Sequence, residues 1–134
     1  MIVIDANILV YSLIEGEYSP LVKKLQEKET DWRTTALCLH EVLNVLATYQ
    51  RREVLALKQC KKLLEHAERF MQVAQCEVKM DAALSVAAKY AITGYDAQYV
   101  ALAQNLNAPL ITEDRKLREA VPGIAVSMQE FLAQ

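Results

Sequence analysis

Cysteine is scarce in this chain and odd in number. Cys38, Cys60 and Cys76 lie far apart and form no CxxC pair, which argues against a disulfide framework and leaves no zinc-ligand spacing. Such side chains are expected to be buried as small hydrophobes in a reducing cytoplasm. Glycine and proline occur only three times each. No Ser- or Gly-rich linker, internal repeat or low-complexity tract interrupts the chain, so residues 1–134 are expected to form one domain. Neither GxGxxG nor a GxxxxGKS/T loop is present, which disfavours nucleotide binding of those kinds. No apolar run reaches the roughly 18–20 residues that cross a bilayer, and the first residues lack the basic leader and cleavage site of a signal peptide. Positive charge is not in excess either, the formal net charge being −2. Sequence-independent binding to phosphates usually rests on a basic surface. A nucleic-acid function would therefore need local basic patches, or a metal ion that reverses the sign of an acidic site.

What is abundant is apolar surface. Hydrophobic residues make up 53% of the chain, enough for a packed core. Ile2–Ile4 is short, apolar and β-branched, and reads as a buried strand; a helix follows from about Asn7. Ser19-Pro20 supplies an N-cap and first helical position for Leu21–Lys28. Trp32–Thr35 reads as a strand. Leu37–Arg52 is a helix with a Leu39, Val42, Leu46, Tyr49 stripe, and Leu57, Cys60, Leu64, Ala67 and Met71 mark another. Gln72–Cys76 is a weak strand. Helices at Met80–Ile92 and Ala97–Asn107 are separated by Thr93-Gly94-Tyr95. Pro109–Thr112 and Gly123–Val126 are strands around a short charged helix, and Met128–Leu132 is a last helix. Strands alternating with helices predict an α/β domain with a mainly parallel sheet, whose sites lie outside the carboxyl ends of the strands.

Four acids have distinctive surroundings. Asp5 ends the first strand in "MIVIDANILVYSL". Glu41 interrupts "ALCLHEVLNVLATY", a helix otherwise nearly free of charge, and its face continues through Asn44, Thr48 and Arg51. Asp96 follows Gly94-Tyr95 at a helix start, where a carboxylate meets free N–H groups and the positive end of the helix dipole. Asp114 lies just past a strand in "TEDRKLRE". Each has a plain alternative: a turn residue, an arginine partner, an N-cap, a solvated charge run. His40 neighbours Glu41 but projects about a quarter-turn away on the helix, and His66, among charged residues, is expected in solvent. No Ser–His–Asp or Cys–His arrangement competes with the acids.

In "VIDANIL" with Asp5 and Asn7, "HEVLNVL" with Glu41, "GYDAQYVALA" with Asp96, and "LITEDRKL" with Thr112 and Asp114, the chain resembles the PIN domain. It is most similar to the small VapC-type toxin ribonucleases of toxin–antitoxin pairs, over nearly its whole length. The resemblance implies a three-layer α/β/α sandwich and divalent-metal-dependent cleavage of RNA. On it, Asp5, Glu41, Asp96 and Asp114 are the catalytic and metal-binding acids, with Asn7 and Thr112 in support. It also implies a homodimer neutralised by an antitoxin protein. The chemistry fits independently: Mg²⁺, or Mn²⁺ in its place, prefers oxygen ligands and keeps several waters, and clustered carboxylates need a cation or protons. The Glu41 helix offers an RNA path along Asn44, Thr48, Arg51 and Arg52, with a solvated helix face as its alternative. Two other readings stay open. A haloacid-dehalogenase-type phosphatase also begins with a strand ending in Asp, but wants a second Asp where Asn7 stands. A PIN-like module could bind RNA or protein without cutting.

Overall fold

The computed structural model describes residues Met1–Gln134. Strand β1 (Ile2–Ile4) leads into α1 (Ala6–Leu13) and α2 (Ser19–Lys28). Then follow β2 (Trp32–Thr35), α3 (Leu37–Arg51), α4 (Leu57–Ala74), β3 (Gln75–Cys76), α5 (Met80–Tyr90) and α6 (Gly94–Leu106). The chain closes with β4 (Leu110–Ile111), α7 (Arg115–Ala120), β5 (Ala125–Val126) and α8 (Met128–Leu132). The five strands form one sheet in the order β3-β2-β1-β4-β5. Every pairing is parallel, with Val3 beside Arg33 on one side and Leu110 on the other. The expected three-layer α/β/α sandwich is the fold observed.

This topology places the site. The chain builds outward from β1 to β2 and β3, then returns to lay β4 and β5 on the other side of β1. The strand order reverses between β1 and β4, and outside the carboxyl ends at such a switch point lies the crevice where open parallel sheets bind ligands. Strand β1 is central, and Ile2, Val3 and Ile4 are fully buried. A strand covered on both faces needs apolar side chains at consecutive positions rather than at alternate ones. Helix α6 packs across β1, β2 and β4, with α5 against it. Helices α1, α3 and α4 pack on one another, and α4 also contacts β2.

Several local expectations change. Helix α2 begins at Ser19 itself, with Tyr18 as N-cap and no side-chain cap, because the Ser19 hydroxyl accepts the Gly16 N–H instead. Residues 72–74 belong to α4, and only Gln75–Cys76 pairs as a strand. Helix α6 starts three residues before Ala97 because Thr93 caps it, its hydroxyl accepting the Asp96 N–H. Cys38 and Cys60 are buried as expected, but Cys76, on the edge strand, is only half-buried.

Candidate active site

Asp5 leaves β1 in extended backbone (φ −89°, ψ 176°) and caps α1, accepting the Ile8 N–H at 3.2 Å. Its other oxygen accepts the Thr112 hydroxyl at 2.5 Å. Thr112 follows β4 and is fully buried, and its hydroxyl also accepts the Asp114 N–H at 3.1 Å. One threonine thus joins the ends of the two strands at the switch point. Asp114 caps α7 by accepting the Leu117 N–H. Glu41 comes from the second turn of α3, and its Oε1 accepts the Tyr99 hydroxyl at 2.5 Å. Asp96 stands in the first turn of α6. Because the Thr93 hydroxyl receives the backbone N–H, the carboxylate is not spent as the cap.

These four carboxylates meet around one cavity of about 580 Å³. Asp5, Asn7, Glu41, Asn44, Asp96 and Asp114 all line it, together with Ala6, Leu37, His40, Val45, Tyr95 and Tyr99. Thr112 supports it from behind through Asp5. Thr48, Arg51 and Arg52 do not reach it. The Thr48 hydroxyl donates to the Asn44 carbonyl, Arg51 leans on Thr48, and Arg52 ends α3. Arg51 instead borders an apolar groove between α3 and α4 with Leu46 and Leu57. His66 is exposed on α4, as expected. His40, expected to project away from the Glu41 direction, is on the cavity wall: a quarter-turn of α3 is not enough to clear an opening this wide.

The electrostatics follow from crowding and burial. None of the four acids is paired with a lysine or arginine. Burial pushes the Asp5 carboxyl up to about 6, against the pull of Thr112 and the Ile8 N–H, and the Glu41 and Asp96 charges push the same way. Asp96 is raised by its partial burial and then by the Asp114 and Glu41 charges, partly offset by Thr93. Burial raises the Tyr99 phenol far above its ordinary value, with the neighbouring Cys38 and Glu41 adding to it. Tyr99 is therefore a fixed neutral donor, and Glu41 a natural acceptor for it.

The donor set is oxygen-only apart from exposed His40. No three His, Cys, Asp or Glu side chains stand close enough to enclose an ion directly. That suits a hard, hydrated divalent ion held by one or two carboxylates and by water, rather than a zinc cage. Sequence reasoning did not pick out Tyr99 or Tyr95. The signal for Tyr99 was its i+3 spacing from Asp96, which places both on one helix face.

Parallel strands, a crevice at the switch point and carboxylates from separate elements with no basic partner define an α/β protein with an acidic site at the carboxyl edge of its sheet. A family model described as "PIN domain" matches residues 2–121, and the chain belongs to the PIN domain family. It is 31% identical over 127 residues to Ribonuclease VapC3 of Pyrobaculum aerophilum, covering 92% of this chain and 96% of that one. Among solved structures it is similar to a crystal structure of a protein from Pyrobaculum aerophilum, with TM-score 0.71, 24% identity, and 98% and 92% of the two chains covered. It is also similar to a toxin–antitoxin complex from Klebsiella pneumoniae, with TM-score 0.70, 18% identity, and 96% and 98% covered. At these identities the structures speak for the fold.

Proposed function

We propose that this protein is a divalent-metal-dependent endoribonuclease, the toxin of a toxin–antitoxin pair, acting through one PIN-like domain over residues 1–134. The observation that carries the reading is the convergence of Asp5, Glu41, Asp96 and Asp114 on one cavity with no basic partner. Four carboxylates so placed are costly unless a cation joins them. The similarity to Ribonuclease VapC3 and to a toxin–antitoxin complex supports the substrate class and the antitoxin partner.

Asp5, Glu41 and Asp96 would hold Mg²⁺ or Mn²⁺, one or two of them directly and the rest through bound water, with Asp114 completing the site directly or through water. The ion would activate an attacking water and neutralise charge developing on the phosphate. The chain's own residues do the positioning. Thr112 fixes one Asp5 oxygen and the Ile8 N–H the other, so the carboxylate cannot rotate freely. Tyr99 fixes Glu41 in the same way. Asn7 and Asn44 add neutral polar groups at the cavity wall. Arg51 and Arg52 lie about 15 Å along α3 from Glu41 at 1.5 Å per residue, within reach of phosphates several nucleotides away. Self-association into a homodimer and residence in the cytoplasm belong to the same reading; no helix is long and apolar enough to cross a membrane.

The test is RNA cleavage with Mg²⁺ or with chelator. Asp5→Asn and Asp96→Asn are expected to lose at least about 100-fold in rate with circular dichroism unchanged. Full activity of both variants, or of the wild type in excess chelator, would overturn the reading.

A further inference from the structure

The cavity that holds the acids contains no lysine or arginine. A polyanion held there meets no side-chain cation on the cavity wall, which leaves a role for uncharged contacts to the nucleotides beside the reacting phosphate. One residue is suited to that. Tyr95 is 65% exposed and lines the cavity; the other large hydrophobic side chains left in solvent, such as Leu43, Val73 and Leu84, do not. A single exposed apolar side chain means little by itself. Tyr95 is adjacent in sequence to Asp96, in the first turn of α6, so its ring is tied to the site by a rigid element. Its two faces are not engaged by another aromatic ring or by a lysine or arginine.

Its surroundings keep that ring accessible. Gly94 has an ordinary φ, and a Cβ placed on it would meet nothing within 4 Å. Neither backbone strain nor packing calls for glycine there, and the space around it is open. The other tyrosine of the cavity is not available in this way: Tyr99 is 2% exposed and its hydroxyl is bound to Glu41.

We propose that Tyr95 is a substrate-binding residue that stacks on an unpaired nucleobase flanking the scissile phosphate. This rests on the ribonuclease reading and specifies how that site holds its substrate. Stacking on an aromatic ring is the usual way proteins grip single-stranded nucleic acid, and it tolerates any base because every base has a π-face. A base within a duplex is stacked on its neighbours and has no free face, so the contact selects unpaired RNA. His40, a second exposed flat ring, reaches the same cavity from α3 and leaves room for a second, weaker contact.

The experiment uses the full chain and a labelled 15-nucleotide random-sequence RNA carrying 5-iodouridine, with Ca²⁺ replacing Mg²⁺ to slow cleavage. Binding is read by anisotropy at several salt concentrations, and photocrosslinks are mapped by mass spectrometry. Tyr95→Ala and Tyr95→Leu are expected to weaken binding about 10-fold or more without changing the salt slope, while Tyr95→Phe stays within about 3-fold of wild type. The crosslink should fall on Tyr95. Melting curves of all variants should coincide, since the ring is in solvent. Wild-type affinity in Tyr95→Ala, wild-type affinity in Tyr95→Leu alone, or crosslinks confined to other residues would overturn the stacking role. A wild-type protein that cuts RNA while Tyr95→Ala binds equally well removes this proposal and leaves the nuclease standing. A wild-type protein that neither binds nor cuts RNA removes both.

Discussion

Asp5 ends a strand, caps α1 and accepts the Thr112 hydroxyl while almost excluded from water. Burial, chiefly, pushes its carboxyl from 3.8 up to about 6. Between those values the metal-free folded protein binds more protons than the unfolded chain, so this group's contribution favours the folded state most below about pH 4. It is lost as pH rises through about 6, and the change amounts to about 3 kcal/mol. Urea unfolding from pH 4 to 7.5 in chelator should show that loss in wild type and a flatter profile in Asp5→Asn, asparagine being an equally good cap. Parallel profiles would contradict it. Tyr99 makes a second case. Tyr99→Phe keeps the packing but removes the donor to Glu41, and is expected to cost about 1–2 kcal/mol of stability and about 10-fold in cleavage rate. An unchanged rate would show that Glu41 needs no fixing. Each acid alone had a plain structural alternative, and Asp5 does cap α1; the four were legible through their order and contexts taken together and the resemblance these carry. Tyr99 was not: a tyrosine in a buried helix reads as core until its partner, 58 positions away, is known.

Among the elements, strands were legible where burial makes them continuously apolar, as at Ile2–Ile4 and Leu110–Ile111. Helix boundaries were harder, since short polar side chains can bond in either direction. Ser19 looks like a cap but accepts from the preceding turn, whereas Thr93, read as part of a connection, is the cap of α6. That cap matters to the site, because it leaves the Asp96 carboxylate free of capping duty. Thr93→Ala is therefore expected to cost about 1 kcal/mol of stability and to lower cleavage by several-fold, while Thr93→Ser retains both. A loss of stability with full activity would separate the cap from the positioning of Asp96. The α3 face illustrates the opposite limit. Its Glu41, Asn44, Thr48, Arg51 spacing is regular, yet only Glu41 and Asn44 reach the cavity, since one end of a 15-residue helix lies beyond any single pocket.

At the scale of the whole molecule, a chain of net charge −2 concentrates four unpaired carboxylates where the strand order reverses. The parallel fold followed from the alternation of strands and helices. The convergence of residues as far apart as Asp5 and Asp114 depended on β4 returning to the far side of β1, which no local pattern specifies. The central claim is that this convergence makes a divalent-cation site. The most direct measurement is calorimetric titration of Mn²⁺ into the purified protein at pH 7.5, wild type beside Asp96→Asn. The account predicts saturable binding to wild type and at least about 10-fold weaker binding to Asp96→Asn, with both proteins folded alike. Equal binding by the two, or none by the wild type, would contradict it.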